Sequence, residues 1–177
     1  MTDMKPQFAP LAGQVQELEP GLRRILAPNP SPMTFWGTNT YLLGSREIAV
    51  IDPGPHSTQH LKSILTALLP GQRITHIFVT HSHIDHSPLA SQLSGITQAE
   101  VYAFGSSYDG QSQTMRSLVK QGYSGGGEGV DFTFSPQRRI TEGDLISGDD
   151  WQLGVLETPG LVEVISCLTK DGTDIPN

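Results

Sequence analysis

The sequence predicts an α+β chain, a β-sheet with helices on one face. Three observations carry that expectation. Short apolar or β-branched runs alternate with helix-period segments in the order β-β-β-α-β-loop-α-β, which lays helices on a sheet. Turn-formers are abundant, with 19 Gly and 13 Pro, while charged residues are 16%, below the roughly 25% of ordinary chains, so loops outweigh long helices. The length, 177 residues, suits one domain, and 1–177 is read as a single one.

The elements follow in order. Residues 1–21 read as an irregular arm with an edge strand near Gly13–Leu18, closed by the turn signal Pro20-Gly21. Leu22–Leu26 is a short strand, ended by Pro28, Pro30 and Pro32, which force a stiff, extended loop. Asn39–Gly44 and Ile48–Asp52 form a hairpin across Ser45-Arg46-Glu47, and Pro53-Gly54 stops its second strand. Apolar residues at 61, 64, 65, 68 and 69 mark a helix over Leu61–Leu69, closed by Pro70-Gly71. Ile74–Thr80 is a buried strand, Pro88–Leu93 a short helix ending near Gly95, and Glu100–Phe104 another strand. Gly105–Gly129 is polar, glycine-rich and aperiodic: a surface insertion or a loop over a pocket, with a helical turn or two in Thr114–Gln121. Short strands are expected at Asp131–Phe134, Leu145–Ile146 and Leu153–Glu157, with a turn at Gly143-Asp144.

Charge and composition narrow the function. The net charge is −7, and the basic residues are scattered, which disfavours nonspecific binding to duplex nucleic acid. No apolar run approaches the roughly 20 residues of a membrane span, so no membrane partner is expected. The N-terminal stretch lacks a basic segment followed by an apolar one, so no secretory leader is expected. Cys167 is the single cysteine and cannot close an internal disulfide, which points to the cytoplasm. In its apolar run, core filler is the reading favoured over a soft metal ligand.

The chemistry concentrates in His81-Ser82-His83-Ile84-Asp85-His86. Three histidines and an aspartate fall within six residues, after a buried strand and before a helix. Imidazole nitrogen and carboxylate oxygen suit zinc. In an extended loop His81 and His83 point the same way. Asp85 and His86 come as the chain bends into the helix and can face a second point nearby, a spacing that suits two adjacent metals. Other histidines are weaker candidates: His56 and His60 fit capping and solvation at a helix start, and His76 fits a satisfied sheet position. Phe35 and Trp36, in the proline-stiffened loop, read as core packing or as an apolar wall beside the metals.

The His81-Ser82-His83-Ile84-Asp85-His86 run resembles the HxHxDH signature of the metallo-β-lactamase fold superfamily. The hairpin Asn39–Gly44, Asp52-Pro53-Gly54 and Glu157-Thr158-Pro159-Gly160 agree in order and spacing over about residues 20–160. Pro28–Gly44 is similar to β-lactamase-like proteins related to glyoxalase II thioesterases and to an endoribonuclease group. The resemblance implies an αββα sandwich and a dinuclear zinc site at the sheet edges. His81 and His83 match ligands of the first metal, and Asp85 and His86 ligands of the second. Asp52 resembles a residue that orients the loop; as a plain sequence feature it is equally a turn-former.

The match has a gap. Where the family follows Thr-Pro-Gly with a ligand histidine, this chain has Leu161. No histidine lies in Leu161–Asn177, and Asp171 and Asp174 lack the context of the family's bridging aspartate. The expectation is an incomplete second half, with the C-terminal part of the fold missing after about 160. The resemblance implies a metal-dependent hydrolase with a zinc-activated hydroxide, Asp85 steering it and shuttling a proton, and a small thioester or ester as substrate. The alternatives are an RNA phosphodiesterase of endoribonuclease type or a catalytically impaired metal-binding remnant. One or two zinc ions are expected, with manganese or iron left open, as is homo-oligomer formation.

Overall fold

Neighbouring residues of the central strands are apolar in pairs, as expected when both faces of a sheet are covered. The computed structural model describes residues 10–109, 117–118, 120–122, 129–159 and 164–170. Its elements are β1 (Val15–Glu19), β2 (Leu22–Leu26), β3 (Asn39–Leu43), β4 (Glu47–Ile51), α1 (Thr58–Thr66), β5 (Arg73–Phe78), α2 (Leu89–Thr97), β6 (Glu100–Ala103), β7 (Arg138–Arg139), β8 (Leu145–Ser147), β9 (Gln152–Pro159) and β10 (Val164–Lys170). One sheet has seven strands in the order β1-β2-β3-β4-β5-β6-β7, and a second has three, β10-β9-β8. β1 to β4 run antiparallel; β4 to β7 are parallel. The sheet is mixed, as an α+β sandwich requires.

Side-chain alternation divides the core into two layers. On one face Leu42, Ile48, Val50, Ile77 and Val79 pack with Leu61 and Ile64 of α1 and Leu89 and Leu93 of α2. On the other, Leu43, Ala49 and Phe78 meet Trp151, Leu153 and Val155 from the second sheet. Adjacent residues such as Leu42 and Leu43 thus serve opposite cores, because strand side chains point to alternate faces. Trp151 ties the sheets together: its ring is edge-on to His76 and Phe78, and its Nε1–H donates to the Glu47 carbonyl at 2.7 Å. His76 sits in this aromatic layer, as a sheet residue should.

Several expectations shift. The first helix begins at Thr58 rather than Leu61, because Ser57 accepts a hydrogen bond from the His60 backbone N–H and caps the helix. The second runs through Gly95 to Thr97 and ends on Gln98 in the left-handed conformation, φ 62°. Asp131–Phe134 is not a strand: Val130 makes an isolated bridge with His83. Asp131 then turns the chain by accepting the Thr133 N–H, a local bond characteristic of turns. β7, two arginines, carries too little pattern to be expected, and β10 falls in the apolar run around Cys167, to which the sequence reading assigns no element. The expected helical turn in Thr114–Gln121, the glycines 125–127, Leu161, Asp171 and Asp174 lie wholly or mostly outside the described residues. No helix among the described residues is long and apolar enough to cross a membrane.

Candidate metal centre

The parallel strands end together, and the 80–86 loop leaves from that edge, where sheets of this kind gather ligands. The Asp52 N–H donates to the Phe78 carbonyl and the Val79 N–H to the Tyr102 carbonyl, so parallel pairing continues to the loop's first residue. The loop is then clamped from outside. The Ile84 N–H donates to the Gly129 carbonyl and the Asp131 N–H to the Ser82 carbonyl. Its far end coils into α2, with the His86 and Ser87 N–H groups on the His83 carbonyl at 3.0 and 3.1 Å.

This path brings the predicted side chains together. The His81 ring centroid lies 4.6 Å from that of His83 and 4.1 Å from that of His86. His86 Nε2 is 3.2 Å from Asp85 Oδ2. The second partner of Asp85 is Thr38, whose hydroxyl donates to Oδ2 at 2.8 Å. Asp85 is buried, which alone would raise its pKa, but bonding to His86, the His86 charge and the Thr38 hydroxyl hold it down to about 2.

Asp52 bonds to two residues of the loop, contacts that a turn-former alone would not make. It takes a positive φ of 50°, a conformation aspartate tolerates better than most residues. Its Oδ1 accepts the Thr80 N–H at 2.9 Å, and Oδ2 accepts both the Thr80 hydroxyl and His86 Nδ1–H at 2.8 Å. Thr80 has one hydroxyl proton, and it points at Asp52. At His81 Nδ1, 2.9 Å away, the same oxygen must therefore accept. Both rings thus carry a proton on Nδ1, and Nε2 of His86 lies against Asp85 Oδ2 at 3.2 Å. Second-row carboxylates fix metal-binding histidines in this way.

The electrostatics set the two rings apart. Burial, reinforced by the neighbouring His86, pushes the His81 pKa down to about 4. Burial also opposes a charge on His86, but hydrogen bonds to Asp52 and Asp85 and their charges raise it to about 10. His83 Nε2 is buried with no hydrogen-bond partner among the described residues. An orphaned imidazole nitrogen beside two others matches a metal in donor type. The fit is incomplete, however: among the described residues no three His, Cys, Asp or Glu side chains are arranged to hold an ion.

The weaker candidates separate clearly. His56 is exposed, as solvation requires. His60 corrects its expectation: it is 0% exposed, because its spacing to Ile64 puts it on the buried stripe of α1. That spacing was the available signal. Phe35 is 67% exposed, which excludes core packing for it. With Trp36 it lines a groove of 790 Å³, together with Leu11, Val15, Arg24 and Asn39. None of the described residues lining this groove belongs to the 80–86 loop. Thr38, Thr80 and Thr40 were not singled out by sequence reasoning, since a lone threonine carries no signal without its partner.

A family model described as the metallo-beta-lactamase superfamily matches residues 33–175. The beta-lactamase-like protein 2 homolog of Caenorhabditis elegans is 37% identical over 75 residues, 41% of this chain and 25% of that protein. An atrochrysone carboxyl ACP thioesterase of Aspergillus terreus is 33% identical over 88 residues, 48% of this chain and 27% of that one. The matched stretch is thus about a quarter of the length of these curated relatives. A beta-lactamase domain protein from Burkholderia ambifaria superposes with a TM-score of 0.67 at 21% identity, covering 94% of this chain and 54% of that one. That likeness concerns the fold.

Proposed function

The chain belongs to the metallo-beta-lactamase superfamily, and on that premise we propose that it serves a metal-dependent hydrolase acting on a thioester or ester. The carrying observation is the Asp52 carboxylate, which holds Nδ1 of His86 directly and Nδ1 of His81 through Thr80. His81 and His83 would hold one ion, and Asp85 with His86 a second, zinc being the metal that suits this donor set. A metal bound there lowers the pKa of water and polarises the oxygen of the bond under attack.

The chain's own residues supply the rest. Asp85, fixed by Thr38 and kept ionised, orients the attacking water and passes its proton toward the leaving group. Phe35 and Trp36 line a groove on the same chain and would hold an apolar part of the substrate. Thioester hydrolysis is preferred because the Aspergillus terreus relative is named a thioesterase. RNA cleavage ranks second, as the net charge of −7 offers an anionic polymer little attraction.

A specific observation favours one further reading. No closed donor set exists among the described residues, and Leu161 stands where the superfamily pattern has a ligand histidine, so the chain is alternatively a weak metal binder with little turnover. Elemental analysis of protein purified without chelator, paired with a thioester hydrolysis assay, separates the two. The hydrolase reading expects bound zinc and turnover, both abolished in the double variant His81→Ala, His83→Ala. Zinc content unchanged in that variant refutes the ligand assignment; weak metal without turnover favours the impaired binder.

A further inference from the structure

His60 is wholly buried in α1, yet it bears a hydrogen-bonding ring where an apolar side chain would pack. Its Nε2 lies 2.8 Å from the Thr40 hydroxyl. Thr40 gives its proton to the backbone carbonyl of Asp52 at 2.6 Å, so His60 is the donor to Thr40. His60 Nδ1 then has no partner among the described residues. A buried polar atom left unpaired is costly, whereas a leucine and a valine in these places would leave none. The ring also lies close against the chain at Gly54: a Cβ there would stand 2.9 Å from His60 Cδ2 and 3.1 Å from Nε2. Gly54, at φ 94°, donates its N–H to the His86 carbonyl at 2.9 Å.

These contacts converge on the segment from which the metal loop hangs. We propose that His60 and Thr40 are positioning residues for that loop, clamping the Asp52 peptide at positive φ so that its carboxylate reaches Thr80 and His86. The inference deepens the hydrolase reading and rests on it for its purpose, though the clamp exists without metal. Asp52 has two jobs that need different atoms. Its carboxylate sets the imidazoles, and its carbonyl is the handle by which helix α1 holds the carboxylate in place. Loss of the handle leaves the carboxylate intact but free to rotate away with its peptide. Outer residues that orient ligands commonly matter 10–100-fold in metal affinity.

The test uses four variants of the full chain: Thr40→Val and His60→Leu, which cut the clamp, and Thr40→Ser and His60→Gln, which keep a hydroxyl or an N–H donor. The first readout is the His86 Nδ1–H resonance in the proton NMR spectrum of metal-free protein. The second is zinc affinity by competition with a chromogenic chelator. Wild type and the conservative pair should show a sheltered, slowly exchanging proton; Thr40→Val and His60→Leu should lose it and bind zinc about 10–100-fold more weakly. A pair with only a packing role would lower the melting temperature and leave the resonance in place, which overturns the proposal, as does absence of the resonance in wild type. If Thr40→Val does not fold, His60→Leu carries the comparison. If wild-type protein binds no zinc, the hydrolase reading fails, while the resonance still decides the clamp.

Discussion

Mild acid should weaken the fold through His60, and replacement of that one ring by leucine should remove its share of the weakness. Burial pushes the His60 pKa from 6.5 down to about 4. The folded state holds the neutral ring, so the stability it contributes is fully present above pH 6.5 and drains away as the pH falls toward about 4. Over that window the unfolded chain takes up a proton that the folded chain refuses. Each pH unit of such a difference is worth about 1.4 kcal/mol, and between pH 7 and pH 5 the loss comes to about 2 kcal/mol. His81 and His76, also lowered by burial, act in the same direction. His86, raised to about 10, acts in the opposite sense: its contribution is present below pH 6.5 and is lost as the pH rises through about 10. The total profile therefore mixes several groups, but the difference between wild type and His60→Leu isolates one. Urea unfolding followed by circular dichroism, in chelator at pH 7 and pH 5, measures it. The stability gap between the two proteins should shift by about 2 kcal/mol in favour of the variant at the lower pH. A gap that stays constant across that range would refute the reasoning.

Two further substitutions probe the sheet contact and the loop. Trp151→Ala empties the contact between the sheets and strands the Glu47 carbonyl, so a loss of about 3–5 kcal/mol is expected in thermal or urea unfolding; a loss under about 1 kcal/mol would contradict the anchoring role. Asp52→Asn keeps the shape but turns an amide toward Thr80 or His86, both of which donate. It should cost about 2 kcal/mol in the metal-free protein and about 10–100-fold in zinc affinity, and unchanged affinity in chelator competition would sink the role given to Asp52.

The readable parts of this chain are those whose physics is local. Leu22–Leu26 emerges as β2 with the expected bounds, because an apolar run between turn signals has one economical use. The hairpin of β3 and β4 follows from two such runs and a short connection. The start of α1 differs from the expected Leu61 because apolar spacing marks only the face that packs, whereas the helix starts where Ser57 caps it. β7 was missed because two arginines have no periodicity; they pair only because β6 lies beside them.

The same boundary runs through the candidate site. Four potential ligands within six residues need no tertiary partner to be noticed, so the sequence by itself marked where candidate ligands concentrate and which fold carries them. What each imidazole does with its protons was decided elsewhere. Asp52 reaches His86 across 34 positions, Thr38 reaches Asp85 across 47, and His60 reaches Thr40 across 20. A threonine or a buried histidine has no distinctive pattern in one dimension, and its hydrogen bonds are directional and a few ångströms long. Only the folded sheet brings those atoms within that range, so only the tertiary structure could assign them.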